Sequence, residues 1–120
     1  MEITTIIFKL IEMEQQLRVF HWQTKSFARH KAFGKVYSNL GDLIDTFAEA
    51  WMGRNGRVRV TGPIELQDIG GDVEGIINGY IDTLISMTDT LDSQRDTDLL
   101  NIRDEILAEF NKLKYLLTLK

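Results

Sequence analysis

A chain of 120 residues with 43% hydrophobic and 27% charged residues has the size and balance of one soluble globular domain. Its net charge of −4 opposes a general electrostatic hold on nucleic acid, which needs clustered Lys and Arg to displace counterions. With no cysteine, disulfides, thiolate zinc sites, iron–sulfur clusters and Cys nucleophiles are excluded, and the chain fits a reducing cytoplasm.

The first segment, about 3–25, carries apolar residues at Ile3, Ile6, Leu10, Met13, Leu17 and Phe20, the spacing of one helical face. Its opening run Ile3-Thr4-Thr5-Ile6-Ile7-Phe8 is broken by Lys9, Glu12 and Glu14, which is too short and too charged for a membrane span. No membrane association is expected. Gln23-Thr24-Lys25-Ser26 then interrupts the pattern, and Thr24 or Ser26 is placed to cap a new helix. The second segment, about 27–53, continues with Phe33, Tyr37, Leu40, Ile44, Phe47 and Trp51.

Residues 53–71 read GRNGRVRVTGPIELQDIGG, with five glycines and the only proline, and predict the longest connection, crossing the end or side of a bundle. Arg54, Arg57 and Arg59 cluster there, and their plainest reading is loop solvation with compensation of a helix C-terminus. Gly70-Gly71-Asp72 lacks a phosphate-loop frame, so Asp72 reads as an N-cap. The third segment, about 72–92, carries Val73, Ile77, Tyr80, Leu84, Met87 and Leu91; the fourth, about 97–118, carries Leu99, Ile102, Ile106, Phe110, Leu113 and Leu117. Four amphipathic helices with short, long and short connections predict an all-α four-helix bundle, two helical hairpins joined by a crossover at 54–71, in a single domain spanning 1–120.

Two histidines are present, nine residues apart. On an unbroken helix His21 and His30 would point about 180° apart, so they converge only if the helix breaks between them. His21 shares an apolar seam with Ile7, Leu10, Leu17 and Glu14; taken alone it reads equally as a partly buried core histidine. Asp42, Asp45 and Glu49 form a carboxylate row on one helix face, either a solvated acidic surface or half of a cation site. Two imidazoles with two carboxylates make a donor set suited to iron, and also to zinc or manganese. The Glu-x-x-His pair of intra-bundle di-iron centres is absent, because Arg18 and Phe27 stand three residues before the histidines. Glu109 lies beside the stripe of the fourth segment, which has no histidine.

The stretch Leu17-Arg18-Val19-Phe20-His21-Trp22-Gln23-Thr24-Lys25-Ser26, followed by His30 and then by Asp45 and Glu49, resembles the Dps family, the DNA-binding proteins from starved cells within the ferritin-like superfamily. The resemblance covers about residues 10–53 and equally fits a divergent, virus-encoded branch. It implies that His21 and His30 of one subunit and Asp45 and Glu49 of its two-fold partner bind iron between them, with Glu49 bridging and Trp22 beside the site. It further implies ferroxidase activity and iron storage in a hollow homo-oligomer. The chain departs from the family in a shorter interval between the histidines and in Gly34, where the family often has an acidic residue. It also lacks a basic tail, so DNA binding is not expected. The alternative is a ferritin-like structural or partner-binding bundle without ferroxidase activity.

Overall fold

The computed structural model describes residues 2–120. Four helices follow one another: α1 (Ile3–Gln23), α2 (Phe27–Asn55), α3 (Val73–Thr90) and α4 (Thr97–Leu116). No strand occurs among the described residues. The chain is an all-α four-helix bundle of two hairpins, α1–α2 and α3–α4. Around it α1 packs on α2, α2 on α4, α4 on α3 and α3 on α1, so the diagonal partners are α1 with α4 and α2 with α3.

The helix ends follow local chemistry. After Gln23 the backbone turns extended at Thr24, and Ser26 caps α2 by accepting the Arg29 N–H at 3.2 Å. This stops α1 two residues earlier than the predicted 25. At the other end, α2 runs through Gly53 to Asn55, past the predicted 53. Gly53 sits in ordinary helix, and the stop is Gly56, whose φ of 87° only glycine adopts readily. Asp72 caps α3, accepting the Gly75 N–H at 2.9 Å. Asp96, at the start of α4, turns its carboxylate away from its own helix. It accepts the Asp92 N–H and pairs with Arg54 at the end of α2; Arg54 also reaches Asp98 at 2.9 Å.

The core is the predicted apolar stripe. Phe20, Phe33, Phe47 and Phe110 are fully buried with Leu10, Leu17, Leu40, Ile77, Leu84 and Met87. Each such side chain contributes about 2 kcal/mol by leaving water. Arg103 is buried too, its guanidinium donating to the carbonyls of Leu84 and Ile85 and to the Thr88 hydroxyl of α3.

The crossover, 56–72, has no helix and climbs back along α1. Glu12 accepts the Glu65 N–H at 3.0 Å. The Gln16 amide closes a two-way pair with residue 67, accepting its N–H at 2.6 Å and donating to its carbonyl at 2.9 Å. Gln23 accepts the Ile69 N–H at 2.8 Å and donates to Asp68. From Glu12 to Gln16 the spacing is physical: four helical residues rise about 6 Å, close to the two extended residues between 65 and 67. Gln16 is therefore buried and satisfied. Because the crossover spans the bundle lengthwise, α3 starts at the end where α1 finishes, and every packed neighbour is antiparallel.

Candidate metal centre

The break at Thr24–Ser26 brings the two histidines together. The rings of His21 and His30 stack with centroids 3.8 Å apart and planes 18° from parallel. The Nδ1 of His21 lies 2.7 Å from the His30 carbonyl oxygen, and the Nδ1 of His30 lies 2.8 Å from that of His21. A carbonyl only accepts, so each Nδ1 carries the proton. In each neutral ring, Nε2 is then left with a free lone pair. The bond to His21 also satisfies one of the last carbonyls of α1, which have no partner within the helix.

Other side chains extend the pair into a stripe along α1 and α2. Tyr37 meets His21 edge-on at 5.3 Å, and Phe27 stacks outside His30 at 6.4 Å. The Arg18 guanidinium lies 5.1 Å over the Tyr37 ring and pairs with Glu14 at 3.7 Å. Its Nε is buried without a hydrogen-bond partner. Burial holds the Glu14 carboxyl above its ordinary range; Arg18 opposes that shift and the Asp45 carboxylate adds to it. Glu14 on α1 thus feels the Asp45 carboxylate of α2. Trp22 is 68% exposed and Phe27 72% exposed beside the histidines.

The structure does not bring the predicted acidic pair to the histidines within one chain. Asp45 and Glu49 are exposed on α2. Asp45 lies fifteen residues beyond His30 on the same helix, about 22 Å along its axis. Among the described residues no group of three or more His, Asp or Glu side chains is close enough to hold a metal ion. Sequence reasoning placed Glu14 on the seam of His21 but missed the influence of Asp45 on it, and it missed Tyr37 as a neighbour of the His21 ring and Arg18 as a neighbour of Tyr37. The signal was present in the spacing: Arg18 stands three residues before His21 and Tyr37 seven after His30, each on the face of its histidine. Glu109 accepts from Asn39 of α2 at 2.8 Å, away from this stripe. Among the described residues no helix is long and apolar enough to cross a membrane.

Comparison with known proteins places the chain in a family. The model for a family of unknown function (DUF5856) matches residues 21–117. The chain belongs to that family. It is also 31% identical over 100 residues, 83% of this chain and 75% of the relative, to the "Uncharacterized 14.6 kDa protein in mobD-ri intergenic region" of Enterobacteria phage T4. No solved structure matches. The family match begins at His21 and includes His30, Asp45 and Glu49, whereas Glu14 and Arg18 precede it.

Proposed function

We propose that this DUF5856 protein is a Dps-like, ferritin-like iron-binding protein that takes up iron(II) as substrate at a site shared between two copies of the chain, oxidises it there and stores it within a homo-oligomer. The observation that carries the reading is the histidine pair. Metal-binding histidines characteristically spend one ring N–H on a carbonyl or carboxylate, which fixes the tautomer and aims the other nitrogen. His21 and His30 both do so.

The donor chemistry fits iron. Near-parallel ring planes keep the two in-plane lone pairs from converging on one point, so each ring would hold its own ion. Neutral imidazoles offset none of that charge. Carboxylates must, and Asp45 with Glu49 is an exposed acidic pair further along α2. A two-fold axis crossing α2 near Ser38, midway between His30 and the acidic pair, would set the histidines of each copy against the carboxylates of the other. Iron suits such a mixed nitrogen and oxygen set, as do zinc and manganese. The topology of two hairpins joined by one long crossover is that of ferritin-like bundles.

Anaerobic titration of the protein with iron(II), followed by admission of oxygen or peroxide, tests this. The wild type is expected to bind iron stoichiometrically and to oxidise it, and His21→Ala with His30→Ala to do neither. Equal rates in the two proteins would remove the assignment.

A second reading is a structural or partner-binding bundle in which the histidines only close the α1–α2 turn. The reciprocal bonds favour it, because they satisfy main-chain groups without any ligand. It predicts no stoichiometric metal by elemental analysis and a small oligomer by light scattering.

A further inference from the structure

Gly34 is a glycine in the interior of α2, one turn beyond His30. Its backbone is ordinary: the positive-φ glycines among the described residues are Gly56 and Gly62. Glycine in a helix interior is unfavourable relative to alanine, so without a backbone reason a spatial one is needed. A Cβ at Gly34 would stand 2.8 Å from His21 Cε1 and 2.9 Å from His21 Nδ1. Both atoms belong to the ring edge that makes the bond to the His30 carbonyl. By contrast, a Cβ at Gly53 or Gly79 would meet nothing within 4 Å.

The His21 ring has little freedom to retreat. The His30 ring covers one face at 3.8 Å, Tyr37 stands against it at 5.3 Å, and its Nδ1 is tied to the His30 carbonyl. A methyl group at position 34 therefore cannot be accommodated by a tenth of an ångström here or there. It displaces the ring edge that carries the tautomer-fixing proton.

We infer that Gly34 is a positioning residue for the histidine pair: the missing side chain is the slot that seats the His21 ring on His30 and fixes its Nδ1 proton on the His30 carbonyl. This rests on the reading of the pair as metal donors, and it reverses the meaning of Gly34 in the resemblance. The position is not simply a lost carboxylate. Any side chain there, acidic ones included, competes with His21 for the same space.

The test compares Gly34→Ala with Gly79→Ala, a control where the added methyl enters open space. Nitrogen-15 NMR of the imidazoles is expected to show Nδ1-protonated His21 and His30 in the wild type and in Gly79→Ala. Gly34→Ala should lose that signature at His21 while circular dichroism stays helical. Iron(II) affinity should fall about 10-fold to 100-fold in Gly34→Ala alone, the usual effect of removing a group that orients a metal ligand. An unchanged His21 tautomer in a folded Gly34→Ala protein overturns the inference, as does unchanged iron affinity. If the wild type binds no metal but the tautomer signature still moves only in Gly34→Ala, the positioning role stands and the metal reading falls.

Discussion

The two halves of the candidate site are built in opposite ways. The histidine half is finished within one chain: both rings are oriented, their Nδ1 atoms are committed and their neighbours are packed. The carboxylate half is unfinished: Asp45 and Glu49 are exposed side chains on the surface of α2, and of the two only Asp45 has an influence on Glu14. Preorganised donors cost little further ordering when a cation binds, whereas two exposed carboxylates must lose rotamer freedom. Under the proposed function, a site divided in this way becomes competent when a second copy brings its acidic half to the histidines.

Mixing two inactive variants gives the largest effect this division predicts. His21→Ala with His30→Ala and Asp45→Asn with Glu49→Gln should each abolish iron oxidation alone. Co-refolded in equal amounts, they should regain about a quarter of the wild-type activity, because half of the dimers are mixed and each mixed dimer has one intact site of two. No recovery would mean that histidines and carboxylates do not meet across chains. A smaller effect locates the axis. Ser38→Cys should form an interchain disulfide under mild oxidation, since residues close to a two-fold axis bring their own copies within disulfide reach, about 4.4–6.8 Å between Cα atoms. Thr46→Cys, exposed two turns further along α2, should crosslink poorly, as read by non-reducing electrophoresis. Efficient linkage at Thr46 instead would move the axis and break the pairing of His30 with Asp45.

The fold was legible because it follows from periodicity and capping. Leu10, Leu17, Phe33, Leu40, Ile77, Leu84, Ile106 and Phe110 are all spaced for one helical face, and all are buried. The turn that joins the histidines was readable at Ser26, a capping residue that does cap. Less of the site could be read. Ring stacking, the reciprocal carbonyl bonds and the slot at Gly34 depend on where two helices touch, and residue spacing on either helix alone does not carry that. Gly34 shows the limit most clearly: as a letter it marks an absent carboxylate, and in three dimensions it marks an occupied space. The crossover was equally opaque, since Glu12, Gln16 and Gln23 look like an ordinary polar face until the chain that they bind is seen beside them.

Stability should separate the exposed acidic half from the packing that is already complete within one chain. Gln16→Ala removes a buried amide that serves both main-chain groups of residue 67, and should cost about 2 kcal/mol in urea unfolding. Asp45→Asn, on the exposed half, should change stability by less than about 0.5 kcal/mol. A cost at Asp45 as large as that at Gln16 would show that the acidic half is already ordered within one chain.

The smallest effect concerns Glu14, which pairs with Arg18 on α1 and feels the Asp45 carboxylate of the acidic half. Burial and the Asp45 carboxylate raise the Glu14 pKa above its ordinary 4.5, against the pull of Arg18. An acid whose folded-state pKa is raised holds its proton more tightly in the folded than in the unfolded chain. Its contribution is therefore most favourable at low pH. It declines as pH rises from about the unfolded value through the raised folded one, and stays at its lower level above that. Urea unfolding of the wild type should show this downward component just above pH 4.5, superposed on the opposite trend from carboxylates such as Asp98, whose pKa the Arg54 hydrogen bond lowers. Glu14→Gln should remove the downward component and leave stability at neutral pH unchanged or slightly higher. Asp45→Asn should reduce it in part, because only one of the two raising influences is lost. Identical pH profiles for wild type and Glu14→Gln would mean that Glu14 is solvated like a surface carboxylate and that α1 does not take part in the acidic half.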